Sequence, residues 1–508
     1  MFEKILMMVL FFAVTIGIGI YCRRHVGSVN SFVLGGRNMG PWVTAFAYGT
    51  SYFSSVVFIG YAGQFGYSFG VAATWIGIGN AFIGSLLAWV VLGRRTRVMT
   101  RHYASATMPD FFAKRFSCQQ LRTAASAIIF VFLVPYSASV YKGLSGLFAM
   151  TFDLNFNWCV IGIAVLTGIY VVLGGYMAAA INDLVQGFIM LVGILLVVAS
   201  VLSGRGGFAT ALAELSHIQS PAAPEMAGAL TSFFGPDPAG LLGVVILTSL
   251  GTWGLPQMVH KFYTIKDERS IHTGTIISTV FALVIAGGSY FMGAFGRLYY
   301  APTDGRIVFD DIVPKMLSSC LSDLLIGVVL ILVLSASMST LSSLVIASSS
   351  TVTLDFLRPM FPVLTNGRKV RIIKVLCAVF VALSVVIALS PNNLISSLMS
   401  LSWGALAGSF LGPLLYGLFW RRTTTASVWA SFATGIGLTG ANFFFKFMQP
   451  TSAGALAILA SLVVVPLVSL ITRPMPVERV DDAFACYNQT VMTRSCFVLN
   501  DDENEEDE

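Results

Sequence analysis

Charge is what this sequence has least of. Only 11% of its 508 residues are Asp, Glu, Lys or Arg, whereas a soluble globular chain carries about 25%. Hydrophobic residues make up 56% instead, which excludes an ordinary water-soluble fold and points to a polytopic membrane protein. Histidine is scarce, and all five residues fall in loops or at the ends of apolar runs. The seven cysteines (Cys22, Cys118, Cys159, Cys320, Cys377, Cys486, Cys496) form no Cys-x-x-Cys pair and no Cys/His spacing. Neither a zinc site nor a disulfide framework is therefore indicated. The net charge of +6 is dispersed over many loops, and nothing suggests nucleic acid; for membrane chains the placement of charge matters more than its sum. No enzyme activity and no organic cofactor are expected.

What the chain has in abundance is apolar runs long enough to cross a bilayer as helices of about 20 residues. They fall at about 5–22, 42–63, 71–93, 124–150, 158–173, 178–203, 239–259, 273–296, 324–351, 373–390, 398–420, 424–446 and 453–472. The expected fold is thus all-α with about thirteen transmembrane helices. The first run follows a single Lys and lacks an Ala-x-Ala cleavage site, so it reads as a retained helix rather than a signal peptide. Arg and Lys concentrate in alternate loops: Arg23, Arg24 and Arg37, then 94–122, then Lys261, Lys266 and Arg269, then 358–374, then Arg421 and Arg422. The positive-inside rule then places the N-terminus outside and the C-terminus inside, in the plasma membrane. Loops 204–238 and 297–322 on the opposite side are long enough for short helices capping an entrance. Residues 1–472 are expected to form the membrane domain. Residues 473–508 read as a polar cytoplasmic tail that ends in the acidic run 501–508 and should be disordered.

Against this apolar background a few polar residues stand out. Asp183 is the one carboxylate inside a long apolar run, beside Asn182 and Gln186. An ionisable group at such depth marks an ion or proton site unless it bonds to Ser or backbone of a neighbouring helix. Ser335, Ser339, Ser342 and Ser343 follow i, i+4, i+7, i+8 spacing, which puts a column of hydroxyls on one helix face. Hydroxyl and carbonyl oxygens suit a hard alkali cation, although membrane-helix Ser and Thr also bond back to their own carbonyls. Gly49-Thr50-Ser51-Tyr52-Phe53-Ser54-Ser55 reads either as an unwound stretch exposing carbonyls or as a tight crossing of small residues. Trp253, among Gly251, Gly254 and Pro256, marks a second candidate interruption. Lys142 lies in the outward half of its run and either snorkels outward or meets an anionic solute. Trp403, beside Gly404 and Gly408, is a binding candidate or a belt aromatic.

Together these stretches resemble the sodium/solute symporter family, which includes carriers for proline, pantothenate, sialic acid, monocarboxylates and glucose. The resemblance runs over about 5–472 and is carried by Gly174-Gly175…Asn182-Asp183…Gln186 and by Met338-Ser339-Thr340-Leu341-Ser342. Gly40-Pro41-Trp42-Val43-Thr44-Ala45 and Ser402-Trp403-Gly404…Gly412-Pro413 look similar to the bacterial proline carriers. Thr50-Ser51-Tyr52-Phe53-Ser54 looks closer to pantothenate carriers, with Tyr52 where proline carriers have Asp. The resemblance implies the inverted-repeat fold of the bacterial leucine transporter: one extra helix at 5–22, a first five-helix repeat at 42–203, a second at 239–420, and two further helices at 424–472. It implies a principal sodium site from carbonyls of Thr50, Phe53 and Ala336 with hydroxyls of Ser339 and Thr340. A second sodium site would use Asp183, Ser339, Ser342 and Ser343, and solute would meet Tyr52, Ser54, Lys142, Trp253 and Trp403. The expected function is sodium-coupled import of a small carboxylate-bearing solute by alternating access, by a monomer whose partners are sodium, solute and the lipid bilayer. The alternatives are a proton-coupled carrier using Asp183 as relay, or a solute-gated channel or sensor.

Overall fold

The computed structural model describes residues 2–22, 29–35, 39–302, 307–357, 365–390 and 394–492. Among these the chain is helical throughout, with two isolated bridges and no strand. A bilayer offers no water to satisfy backbone groups, so each apolar run closes its hydrogen bonds within itself. Among the described residues nine helices are long and apolar enough to span a membrane, and ten if the bent pair Pro238–Gly254 and Pro256–Tyr263 is one span. The N-terminal helix Phe2–Cys22 turns Val9, Leu10 and Val14 outward, and Val192, Leu195 and Val386 are likewise exposed. These side chains form a lipid-facing surface. The centre is occupied by Asp323–Thr351 and Ile395–Phe419, almost wholly enclosed by their neighbours. Asp323–Thr351 packs on Phe156–Ser203 and Gln119–Phe152, while Ile395–Phe419 packs on Thr425–Phe445 and Pro450–Ile471.

Two helices are interrupted in mid-course, and the reasons are local. Pro41–Tyr52 stops at Phe53, whose backbone is extended (φ −99°, ψ 120°), and helical structure resumes with a π-helical turn, Val56–Tyr61, leading into Ala62–Phe69. Ser54 restarts it: its hydroxyl accepts the Val56 N–H, and its carbonyl accepts those of Val57 and Phe58. The second interruption is at Leu255 (φ −78°, ψ 123°) between Pro238–Gly254 and Pro256–Tyr263, which meet at 45°. Pro256 has no N–H to lose and its fixed φ suits a first helical position, so the break follows directly from sequence.

Two glycines bend the chain where the sequence suggests separate runs. Gly175 has φ +59° inside the otherwise continuous Phe156–Ser203 helix. Gly70 has φ +62° at the end of Ala62–Phe69, where the chain turns through Gly70–Ala73 into the helical run 74–102. Residues with a Cβ rarely adopt that region. The polar segment after Arg473 differs from the expectation of disorder. Val477–Met492 is a helix, with Val480, Ala483 and Phe484 packed against Tyr103 and Met475 and Asp481 paired to Arg421 at 2.5 Å. Three apolar residues on one face are enough to dock it, a periodicity masked by its polar average. The acidic run 501–508 lies outside the described residues.

Candidate functional site

The first break faces the Asp323–Thr351 helix, whereas the second packs at Gly254 against Ala407 and Leu411 of Ile395–Phe419, and the restarted Pro256–Tyr263 helix reaches Asp323–Thr351 through Lys261. Stopping the first helix at Phe53 frees carbonyls that a continuous helix would use: the Ser55 N–H goes to the Ser337 hydroxyl rather than to Ser51, and the Val57 N–H goes to Ser54 rather than to Phe53. Those carbonyls converge on Thr340. Its Oγ1 lies 3.3, 3.4 and 3.5 Å from the carbonyl oxygens of Thr50, Ser51 and Phe53, and 3.1 Å from that of Ala336. Beside it, Ser339 donates to Thr50 Oγ1 at 2.7 Å, and Thr50 in turn donates to the Phe46 carbonyl. One hydroxyl proton cannot satisfy four carbonyls, so the cluster is a buried excess of oxygen acceptors. Ligands held at about 2.4 Å and right angles around a hard cation lie about 3.4 Å from one another. The spacing here fits such a cation, and the oxygen donors suit an alkali ion.

The Asp183 side chain, on Phe156–Ser203, is fully buried. The sequence offers Lys142 as the one cationic counterpart inside an apolar run and reads Lys261 as part of a basic loop. The structure corrects this. Lys261, 1% exposed, sits on Pro256–Tyr263 with its ammonium 3.7 Å from Asp183 Oδ2. It donates to Ser343 Oγ at 3.1 Å and lies 5.0 Å from the Tyr176 ring centre. The missed clue was the break at Gly254–Pro256: a helix restarting there runs on to Tyr263 and carries Lys261 inside. Ser51 was missed too, as both a carbonyl and a hydroxyl contributor. Ser342, expected beside Asp183, turns its hydroxyl to the Ser339 carbonyl at 2.8 Å.

The solute candidates separate. Tyr52 stacks on Trp403 (5.7 Å, 24°) and donates to the Thr248 carbonyl, and Tyr136 meets Trp403 edge-on at 5.8 Å. The Tyr136 hydroxyl and Trp403 Nε1 are buried side by side, with no hydrogen-bond partner among the described residues other than each other. Trp253 instead donates its Nε1 to the Ile83 carbonyl, and Ser54 is committed to the helix restart. Lys142 donates to the Ser390 carbonyl beyond the Asn366–Ala388 helix.

Interrupted helices flanking a hydroxyl-bearing central helix define a polytopic membrane transporter, and comparison with solved structures agrees. The fold is shared with a Na+-coupled sialic acid symporter (TM-score 0.73, 14% identity, 93% of this chain and 99% of that one). It is shared more distantly with a nucleobase-cation-symport-1 family transporter (TM-score 0.53, 14% identity, 89% and 97%). The family model for the sodium:solute symporter family matches residues 32–435, and the chain belongs to that family. Sodium/proline symporter 2 of Staphylococcus saprophyticus is 27% identical over 444 residues, covering 85% of this chain and 84% of that protein. The osmoregulated proline transporter of Bacillus subtilis is 27% identical over 442 residues, covering 85% and 87%. The protein is a multi-pass plasma-membrane transporter and not an enzyme.

Proposed function

We propose that the protein couples inward sodium flow to uptake of a small carboxylate-bearing solute by alternating access. The convergence of the Thr50, Ser51, Phe53 and Ala336 carbonyls on Thr340, with Ser339 beside them, carries this reading. Because those oxygens come from both a broken helix and the central helix, a sodium ion would tie the two together and its release would let them part. The Tyr52–Trp403–Tyr136 aromatic wall, next to the break, is the proposed solute surface. An amino acid such as proline fits the relatives' substrates, although Tyr52 in place of the proline carriers' Asp favours a different acid. Trp253 and Ser54 would shape the wall from behind, and Lys142 is better placed at an outer approach than against bound solute.

The topology we propose has thirteen passes, obtained by dividing the helical runs at Gly70 and Gly175, with the N-terminus outside and the C-terminus inside. Two five-helix repeats would each begin with an interrupted helix, the arrangement that marks the binding site in such carriers. Every proposed site residue comes from one chain, so a monomer would suffice. One charge crossing 100 mV contributes about 2.3 kcal/mol, and a tenfold sodium gradient adds about 1.4 kcal/mol. One sodium could then concentrate a neutral solute several hundredfold.

The test is uptake into proteoliposomes of radiolabelled proline, pantothenate and lactate under an imposed sodium gradient. Uptake of one of them should collapse in choline. Ser339→Ala and Thr340→Ala should raise the half-saturating sodium concentration roughly tenfold or more, as expected for losing one charge-assisted oxygen contact. An unchanged sodium requirement in both variants would sink the site. Sodium-independent uptake driven by acid pH and lost in Asp183→Asn would replace sodium by the proton.

A further inference from the structure

The residues that the family resemblance assigns to a second sodium ion already hold a positive charge in this chain. Lys261 Nζ is 3.7 Å from Asp183 Oδ2 and donates to Ser343 Oγ at 3.1 Å. The face of Tyr176, 5.0 Å away, adds a cation–π contact. All three charged or hydroxyl partners are buried. The hydroxyls beyond are ordered in one direction. Ser343, which accepts from Lys261, shares a 2.8 Å hydrogen bond with Ser51, and the Ser51 proton goes to the Ala47 carbonyl at 2.6 Å. Ser343 must therefore donate to Ser51. Its lone pairs face the ammonium, as they would face a sodium ion.

We infer that Lys261 is a tethered cation standing where a second sodium would bind, so that this carrier moves one sodium ion per solute. Two charges of like sign about 4 Å apart, at an effective dielectric constant of about 20, weaken binding by about a thousandfold. Sodium entering beside Asp183 would have to displace the ammonium or bear that penalty. Asp183 is already neutralised by a residue that cannot leave, and Ser342 is turned away towards the Ser339 carbonyl. Lys261 also lies on the inner half of the second broken helix, whereas Ser51 lies on the first. Its charge thus links both broken helices to the central one without consuming an ion from the gradient. For a solute of no net charge the concentrating power would stay near the several hundredfold of one sodium rather than its square.

This rests on the sodium-coupled reading above, and one experiment separates the two. The full-length protein, purified in detergent, is titrated with 22Na+ alone at constant ionic strength with choline, and bound sodium is counted per protein. One ion is expected. Zero would remove the sodium-coupled reading itself, whereas two would overturn the role of Lys261 and leave that reading standing. Lys261→Met, which keeps length without charge, is expected to bind two ions, with the Hill coefficient of sodium-dependent thermal stabilisation rising from one towards two. Asp183→Asn/Lys261→Met, which leaves no charge at this site, should fold and return to one. If Lys261→Met folds and still binds one ion, the inference fails. If it does not fold, the double variant and wild-type counts decide: two ions on either sinks it.

Discussion

At the scale of single residues, this protein pairs the carboxylates it buries. Asp183 with Lys261 and Asp355 with Arg122 (3.0 Å) both lie in the interior, the latter joined by Thr107 and by Asp110 on the same guanidinium. An unpaired charge there would be far costlier than a pair whose attraction offsets desolvation. Asp310, on the short helix Phe309–Cys320, is the informative exception. It accepts the Ile395 N–H at 3.3 Å, and burial pushes its carboxyl up to about 6 despite that bond and the nearby Lys142, with Asp311 adding repulsion. Its proton is held more tightly folded than unfolded, so its stabilising contribution is complete below about pH 4 and is lost as pH rises through 6. Asp310→Asn cannot ionise. Its melting temperature, followed by scanning fluorimetry between pH 4 and 7, should fall less with rising pH than that of the wild type; parallel curves would show that Asp310 ionises freely.

At the scale of elements, the interruptions matter more than the helices. Each has a nameable local cause: Ser54 restarting the chain after Phe53, Pro256 after Leu255, and positive φ at Gly175 and Gly70. Gly175 offers the sharpest test. Its φ of +59° disfavours any Cβ, and an added methyl group would lie 2.9 Å from the Phe32 ring. Gly175→Ala should destabilise the protein by about 1–2 kcal/mol, read as a lower melting temperature, while Gly168→Ala, which meets nothing within 4 Å, should not. Equal melting temperatures would mean that the bend is not required. The breaks at 49–55 and 251–256 were legible because small residues, hydroxyls and proline cluster there. The direction in which the freed carbonyls point was not, because it depends on where Thr340 lies.

At the scale of the whole molecule, the charge asymmetry of the loops should show as sidedness. In a cysteine-free background, a single cysteine at the exposed Glu3 should react with a membrane-impermeant maleimide on intact cells, and one at the exposed Glu478 only after permeabilisation. Equal labelling at both would reverse or break the thirteen-pass topology. The helix Val477–Met492 bears on the same question, since it docks on the helical run 74–102, with Tyr487 against Arg95. Both then lie on the side where Arg94, Arg95, Arg97 and Arg101 collect.

The sequence alone determined what local composition and period can encode: a polytopic helical membrane protein, the positions of its apolar runs, the column of hydroxyls at 335–343, and a resemblance strong enough to name a family. Hydropathy and the 3.6-residue period are properties of neighbouring residues, so no folding is needed to read them. Only the tertiary structure decided which groups meet. Thr50 and Ser339 are 289 residues apart and Lys261 and Ser343 are 82 apart, and nothing local ties either pair. A lysine five residues past a proline looks like the start of a loop until the bend at Leu255 carries it inward. The partner of Asp183 follows from that bend, because a charge buried in lipid is defined by what the fold brings within a few ångströms of it.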